Sequence, residues 1–280
     1  MNSKAKIAIL DLYNGEPNQG MRCIENIVQQ FENQSDAKVF DVRGKVEIPP
    51  MDYDIFICSG GPGNPLDGDG NWDRQFYQLI HDLWNWNMQG NRPKKYVFFI
   101  CHSFQMACHL FGVGEVMPRK SKAFGVFPIH KTPHGQTESL LFGLPDPFYG
   151  ADFRDYQVIS PQVERLEDLD SHILALEKIR PHVKLERAVM AIRFSDEFFG
   201  VQFHPEADAE GMLKHFSDEK RKAFVIENYG QEKYDQIIRD LKNPERIEQT
   251  QQIILPKFIA NAIEQLKEEM NPNPTIEMVG

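Results

Sequence analysis

Three residues of types that could together perform nucleophilic chemistry follow two predicted strands: Cys101, His204 and Glu206. Cys101 follows the apolar run 96–100, which is typical of a strand buried on both faces, and a helical pattern begins just after it. His204 and Glu206 follow a second strand pattern at 199–203. A cysteine nucleophile needs a base, and that base needs an acceptor to fix its tautomer. These three residues therefore predict a cysteine nucleophile with a histidine–glutamate pair.

The position of Cys101 adds to its reactivity. A side chain at a strand-to-helix turn lies at the amino terminus of the helix, where unpaired N–H groups and the helix dipole favour a thiolate. Taken alone, such a cysteine is more often a buried structural thiol, and a lone histidine such as His204 is more often a structural residue. The combination of signals at several strand ends favours a site.

A glycine-rich loop supplies the third signal. Ser59-Gly60-Gly61-Pro62-Gly63 follows the predicted strand 53–58. Gly60 and Gly61 allow the backbone to turn N–H groups toward the site, and the N–H of His102 would complete an oxyanion hole. By itself, a Gly-Gly-Pro-Gly loop is usually only a turn.

The elements that must position these residues alternate between strand and helix in the first hundred residues. This rhythm predicts right-handed βαβ units, a parallel sheet and a ligand at the carboxyl ends of its strands. Short strands flanking the parallel part, with turns between them, are predicted from 123 to 203, and helices from Glu206 onward. Asn243-Pro244 is a typical helix start, and 271–280 is predicted to fray. The predicted strands are 7–12, 38–42, 53–58, 96–100, 123–129, 172–177, 187–194 and 199–203.

Composition excludes several classes of function. A net charge of −10 argues against nucleic acid or an anionic membrane surface as partner. We find no apolar run of about 18 residues, the length of a transmembrane helix. The four cysteines lack close CxxC spacing, which favours reduced thiols in the cytoplasm over disulfides or zinc. We therefore expect neither a metal nor a cofactor.

These motifs resemble those of the class I glutamine amidotransferases, which carry a Cys-His-Glu triad, and especially GMP-synthase-like stand-alone glutaminase domains. The resemblance covers roughly residues 5–212 and rests on the loop 59–63, on Cys101 with Gln105 four residues later, and on 201–206. It implies an α/β fold: a flavodoxin-like, mostly parallel sheet with helices on both faces and flanking antiparallel strands. It also implies a γ-glutamyl thioester on Cys101. His204 would shuttle a proton, Glu206 would orient the His204 imidazole, and Gln105 would bind substrate.

The sequence departs from the family pattern at two places. Phe99 stands two residues before Cys101, where the family usually has glycine, so we expect a crowded turn, whereas Ser103 on the other side is small. The segment 153–156 reads Phe-Arg-Asp-Tyr where relatives commonly carry a histidine signature. Both departures mildly favour a stand-alone γ-glutamyl hydrolase or peptidase over an amidotransferase that passes ammonia to a partner, because either change could reshape the acceptor side.

The sequence thus predicts an amidotransferase-like domain at 1–212 and a C-terminal helical extension packed on it at 213–280. The expected activity is hydrolysis of the glutamine side-chain amide, with ammonia passed to a synthetase on a separate chain. Two alternatives stay open: a stand-alone γ-glutamyl hydrolase or peptidase with the same triad, and a silent regulatory relative. The presence of Cys101, His204 and Glu206 counts against a silent relative.

Overall fold

A single mixed sheet positions the predicted site. The computed structural model describes residues 4–16, 18–181 and 183–270, except for the side chain of Pro244. Within them, nine strands form one sheet in the order β2-β1-β3-β4-β9-β8-β7-β5-β6. The strands are β1 (Ala5–Asp11), β2 (Ser35–Asp41), β3 (Ile55–Cys58), β4 (Tyr96–Ile100), β5 (Glu115–Lys131), β6 (Phe148–Ile159), β7 (His172–Glu177), β8 (Val189–Arg193) and β9 (Phe198–Val201).

Helices cover both faces of the sheet. The helices of the described residues are α1 (Gln19–Gln29), α2 (Val42–Lys45), α3 (Trp72–Met88), α4 (His102–Phe111), α5 (Pro133–Thr137), α6 (Val163–Asp168), α7 (Ala209–Ser217), α8 (Glu219–Tyr229), α9 (Gln231–Leu241) and α10 (Pro244–Met270). The last helix begins at the predicted Asn243-Pro244 signal. The predicted frayed tail, 271–280, lies outside the described residues. No helix of the described segments has the length and apolar character needed to span a bilayer.

The parallel half of the sheet confirms the predicted α/β class. Strands β2, β1, β3, β4 and β9 pair in parallel, which is the strand order of flavodoxin-like sheets. Alternate residues of these strands face two separate cores. Phe98 and Ile100 pack with α1 and α10 on one face, while Val97 and Phe99 pack with α3 and α4 on the other. Burial on both faces is why these strands read as continuous apolar runs.

The antiparallel half holds the one strand that the sequence failed to predict. β6 pairs along most of its length with β5, and β5, β7, β8 and β9 are also joined in antiparallel pairs. β6 was missed because its polar residues Asp152, Arg154 and Gln157 suggest an exposed loop, whereas all three are buried. Arg154 pairs with Asp152 and with Glu177 of β7, and the Gln157 Oε1 accepts a hydrogen bond from Arg119 of β5. The Arg154 Nη1 and the Gln157 Nε2 have no partner among the described residues.

The helices after β9 build a third core. Side chains of α7, α8 and α9 pack on the outer part of β5 and β6, around Val126, Met212, Phe216 and Ile237. Helices α7, α8 and α9 therefore rest on the antiparallel part of the sheet, and α7 begins only three residues after Glu206. This places the extension beside the carboxyl ends of β4 and β9.

Candidate active site

The turn between β4 and α4 holds Cys101 in an uncommon backbone conformation. Cys101 has φ 50° and ψ −96°, a positive φ that costs a non-glycine residue about 1–3 kcal/mol. Such strain persists only where neighbours fix the chain, and the Cys101 N–H donates to the Val201 carbonyl at 2.8 Å. The turn has the strand–turn–helix form of a nucleophile elbow, which lifts the side chain above the sheet.

Ser103 fixes this elbow from below. Its hydroxyl accepts a hydrogen bond from the Ile100 N–H at 2.8 Å and donates one to the Cys58 carbonyl at 2.8 Å. The residue is fully buried. A small side chain with both donor and acceptor capacity therefore joins β3, β4 and α4 directly under Cys101.

The crowding that we expected from Phe99 is not found. The ring points into the α3/α4 core, where it packs against Phe194 and Phe198 with centroids 5.9 and 6.2 Å away. Its partner on β9 is Gly200, and a Cβ there would lie 3.3 Å from the Phe99 Cβ and 2.7 Å from the Phe104 ring. The expectation was wrong because a glycine on the neighbouring strand supplies the space.

His204 and Glu206 form a pair beside Cys101, in which Glu206 is buried and His204 is partly exposed to the cavity. The His204 Nδ1 donates to Glu206 Oε1 at 2.8 Å, and the His204 N–H donates to the Ala151 carbonyl at 2.8 Å. Glu206 is fully buried, and its Oε2 has no hydrogen-bond partner among the described residues. Gly20 in the first turn of α1 makes room for it, since a Cβ there would lie 3.2 Å from Oε1. The carboxylate thus lies at a helix amino terminus, which favours negative charge.

The electrostatics of the pair favour a protonated imidazole. Burial alone would lower the pKa of His204, but the charges of Glu206 and Cys101, with hydrogen bonds to both, raise that pKa well above its ordinary value. A histidine held as imidazolium next to a thiol suits a thiolate–imidazolium pair. The other three cysteines are buried free thiols. Burial raises the pKa of Cys23 to about 12, and it also raises the pKa values of Cys58 and Cys108.

The loop after β3 lies against the same turn. A Cβ on Gly60 would meet the His204 ring at 2.9 Å, and one on Gly61 would meet the Leu12 carbonyl at 2.6 Å and the His102 ring at 3.3 Å. Burial, and secondarily the charge of Arg43, lowers the pKa of His102 to about 3, so its ring is neutral. The His102 N–H is the first of α4, and N–H groups of a first turn lack intrahelical acceptors. His102 therefore has a free backbone donor to offer.

Gln105 lies behind Cys101 rather than on the cavity surface. It is 3% exposed, and its Nε2 donates to Gln202 Oε1 at 3.0 Å. Gln202 in turn places its Nε2 3.7 Å from the Cys101 sulfur. Gln202 was given no role from the sequence, although it lies in the same 201–206 motif as His204. Its contact with the sulfur depends on the parallel pairing of β4 with β9, which spacing alone does not show.

A cavity of about 360 Å³ opens in front of Cys101, His204 and Glu206. Tyr13 reaches it from the end of β1, and burial, then the nearby charges of Glu206 and Cys101, raises the pKa of this phenol well above its usual range. The phenol is therefore a protonated donor. Gly61 and Pro62 of the predicted loop also line it. Sequence reasoning gave no site role to the rest of the lining, which comes from distant segments: Tyr13, Glu16, Asn18, Gln19, Gly20, Arg22, Cys23, Phe124, Phe153, Ala207, Asp208, Met212, His215, Phe216 and Arg221.

A larger cavity of about 920 Å³ lies near the opposite ends of β4 and β9. Its buried charges are largely paired, as in the Arg193–Glu138 ion pair with a 2.6 Å contact, and its described lining includes no cysteine. The larger of these two cavities is therefore not the one that contains Cys101, His204 and Glu206.

Comparison with known proteins identifies the family. The model of the family "glutamine amidotransferase class-I" matches residues 18–220, which is most of the chain. The chain therefore belongs to the class I glutamine amidotransferase family. The matched region contains Cys101, His204 and Glu206 together with the glycine-rich loop. None of the curated proteins compared matches the chain.

Solved structures share the fold at low identity. A glutamine amidotransferase from Thermotoga maritima superposes with a TM-score of 0.69 at 15% identity, covering 94% of this chain and all of that one. A glutamine amidotransferase from Methylobacillus flagellatus gives 0.60 at 16%, covering 95% and 94%. A protein of the GMP synthase type from Thermoplasma acidophilum gives 0.52 at 17%, covering 74% and 87%. The coverage of the first two structures extends the shared fold into the C-terminal helices.

Proposed function

We propose that this chain cleaves γ-glutamyl amide bonds through a thioester on Cys101, with glutamine as the smallest substrate. The observation that carries the proposal is a cysteine on a strained elbow at a helix amino terminus, facing a His204 imidazole that Glu206 orients at 2.8 Å. Membership of the class I glutamine amidotransferase family supports the same chemistry.

In the first half-reaction, the Cys101 thiolate attacks the γ-carbonyl carbon of the substrate. The negative charge that develops on the carbonyl oxygen is stabilised by backbone N–H groups of the Gly60–Gly61 loop and of His102. The His204 imidazolium gives its proton to the departing nitrogen, the C–N bond breaks, and a γ-glutamyl thioester stays on Cys101. Glu206 holds the imidazole in position and stabilises its positive charge.

In the second half-reaction, water attacks the thioester while neutral His204 removes its proton. The thioester C–S bond breaks, glutamate leaves, and the Cys101 thiolate and the His204 imidazolium are restored. When glutamine is the substrate, the first product is ammonia, and we propose that a synthetase on a separate chain accepts it. Four buried free thiols support a reducing compartment such as the cytoplasm.

A second candidate is a stand-alone γ-glutamyl hydrolase or peptidase, which needs no partner. One observation favours it: aromatic side chains from the sheet and from the C-terminal helices line the cavity next to His204. Ammonia makes no use of such a surface.

Purified full-length protein incubated with glutamine and with γ-glutamyl peptides tests the proposal, with glutamate and released amine both measured. We expect glutamate release by the wild type and none above background by Cys101→Ala. The Cys108→Ala variant, altered at a buried thiol away from the cavity, is the control and should stay active. Equal glutamate release by the wild type and Cys101→Ala would overturn the proposed thioester.

A further inference from the structure

An aromatic surface lies next to the proposed proton donor. Phe124 of β5 and Phe153 of β6 are opposite each other in the sheet register, with ring centroids 5.2 Å apart. Phe216 of α7 completes the set, 5.8 Å from the Phe124 ring. We call these three residues the aromatic wall. The Phe153 ring lies 6.4 Å from the ring of His204.

The mechanism assigns this wall to one side of the scissile bond. His204 gives its proton to the departing nitrogen, so the leaving amine must lie beside the imidazole when the bond breaks. The group attached to that nitrogen then faces the side of the cavity where Phe153 lies. The γ-glutamyl part is held at the carbonyl carbon by Cys101 and by the glycine loop, and extends elsewhere. The aromatic wall is therefore a surface for the leaving group.

The wall is preformed rather than flexible. Phe216 is 3% exposed, and the Phe124 ring stacks on Tyr229 at 4.6 Å with 5° between the planes. Asp208 caps α7 by accepting from the Gly211 N–H, and it is also ion-paired with Arg22 of α1. The helix that presents Phe216 is thus fastened at its amino terminus to the edge of the cavity. A fixed apolar surface binds an apolar group with little loss of conformational entropy.

A cation at the rim adds a second recognition element. Arg221 of α8 lines the same cavity and is exposed. Among the described residues its guanidinium makes no ion pair, and it lies 6.0 Å from the centre of the Phe224 ring. The other arginine of the lining, Arg22, is already paired with Asp208. Arg221 is therefore the arginine of this lining that is available to a carboxylate of the substrate.

We propose that the leaving group is an apolar α-amino acid, so that the chain hydrolyses γ-glutamyl amides of aromatic or large aliphatic amino acids. The amino-acid side chain packs on the aromatic wall and its carboxylate pairs with Arg221. This inference rests on the proposed γ-glutamyl chemistry and names its substrate class. The C–N bond breaks, the amino acid takes the proton of His204 and leaves as a free amine, and water converts the thioester into glutamate.

Substrate kinetics test the inference on the full-length chain. The substrates are glutamine, γ-glutamylglycine, γ-glutamylphenylalanine and γ-glutamylphenylalanine amide, and the readout is kcat/KM for glutamate release. We expect γ-glutamylphenylalanine to exceed γ-glutamylglycine by about 10- to 100-fold, as when an aromatic side chain leaves water. The acid should exceed its amide by about 3-fold, the size of a partly exposed ion pair.

Ratios between two substrates on one protein preparation remove any effect of partial misfolding. Phe153→Ala should lower the phenylalanine-to-glycine ratio, whereas Phe142→Ala, at a 75% exposed ring outside this cavity, should not. Arg221→Gln should bring the acid-to-amide ratio to about 1, because the exposed ion pair is lost. The matched control is Lys220→Gln, which removes the neighbouring exposed cation and should keep the wild-type ratio.

The outcomes separate the two proposals. Glutamine cleaved as well as γ-glutamylphenylalanine, or a phenylalanine-to-glycine ratio unaffected by Phe153→Ala, overturns the leaving-group inference and leaves the thioester proposal standing. An acid-to-amide ratio of kcat/KM that is the same in Arg221→Gln as in the wild type overturns the role of Arg221. Absence of glutamate release from all four substrates overturns both proposals.

Discussion

Two ionic clusters lie next to each other where β6 meets the segment after β9, and they have opposite characters. The Ala151 carbonyl of β6 accepts a hydrogen bond from the His204 N–H, which joins the His204–Glu206 pair to this strand. One residue further on, Asp152 and Arg154 form an ion pair at 2.9 Å whose side chains are at most 2% exposed. Arg119 and Arg180 add contacts to Glu177 on β7, and we call these five charged residues the guanidinium cluster.

The difference between the two clusters is whether a proton can move. Guanidinium groups stay charged at any accessible pH. Burial would raise the pKa of Glu177, but the hydrogen bond from Arg119 and the charges of Arg119, Arg154 and Arg180 lower it overall. The guanidinium cluster therefore holds permanent charges and joins β5, β6 and β7. His204 carries a transferable proton beside a cavity, so only its cluster is suited to catalysis.

The largest expected effect follows from removing the proposed nucleophile. Cys101→Ala should lower kcat for glutamate release by about 10⁴-fold or more, because covalent catalysis is lost. Its thermal unfolding should stay close to that of the wild type, since the thiol supports no described backbone bond. Brief treatment with a glutamine-like alkylating analogue, read by mass spectrometry, should label Cys101 selectively. Even labelling of all four cysteines would argue against an activated thiol.

The next largest effects separate His204 from Glu206. His204→Ala should approach the loss seen for Cys101→Ala, whereas Glu206→Ala should keep about 50-fold more activity, because Glu206 only orients and stabilises the imidazolium. Steady-state kinetics on both variants measure the gap. Equal and mild losses would mean that the pair does not act on Cys101.

The raised pKa of His204 gives this pair a pH signature. A group with a raised folded-state pKa stabilises the fold fully below its unfolded pKa of about 6.5, and that stabilisation disappears as the pH rises through the folded value. Glu206→Gln should lower the pKa of His204, measurable by NMR titration, and move the alkaline limb of kcat/KM to lower pH. The difference in unfolding free energy between wild type and Glu206→Gln should also narrow as the pH rises. An unchanged titration of His204 would contradict the electrostatic role of Glu206.

Substitutions in the guanidinium cluster should lower the free energy of unfolding and leave kcat nearly unchanged. Arg154→Met leaves Asp152 buried without its partner and should lower the free energy of unfolding by about 3–5 kcal/mol. The double variant Arg154→Met/Asp152→Leu should recover much of that loss. Denaturant unfolding gives the stability, and kcat per folded molecule should stay within about 3-fold of wild type, because neither side chain lines the site cavity. A collapse of kcat in fully folded protein would contradict the separation of the clusters.

The smallest expected effect concerns Phe99. Phe99→Leu should lower the unfolding free energy by about 1–1.5 kcal/mol, the range of a tolerated hydrophobic exchange, and leave turnover unchanged. The ring packs in the α3/α4 core opposite Gly200, so its size does not bear on the elbow. A rise in turnover on shortening the side chain would instead show that the ring strains the turn.

How much of the fold and of the candidate site could be predicted from the sequence depended on how far along the chain each residue's partners lie. Cys101, His204 and Glu206 were placed at strand ends because apolar runs fix strand positions, and the parallel order then brings strand ends to one edge. Phe99 was misjudged because Gly200, which makes room for it, lies far away along the chain. β6 was missed because Asp152 and Arg154 look exposed until their ion pair is seen.

The aromatic wall could not be predicted from the sequence for a similar reason. Phe124, Phe153 and Phe216 come from two strands and a helix, and in the sequence each is an isolated aromatic residue without a motif. Their meeting beside His204 depends on the β5–β6 register and on the anchoring of α7. The residues of the candidate site could therefore be predicted from residue types at strand ends, whereas the shape of the cavity could not.

The backbone of Cys101 also limits how this chain can evolve. At φ 50° every residue except glycine is strained, and the proposed role of Cys101 as nucleophile would give that strain a function. If selection for turnover were relaxed, drift to glycine would relieve the turn, whereas drift to alanine or serine would keep the strain and lose the activity. We therefore expect a sister lineage that has lost its chemistry to carry glycine at position 101 more often than chance replacement would give.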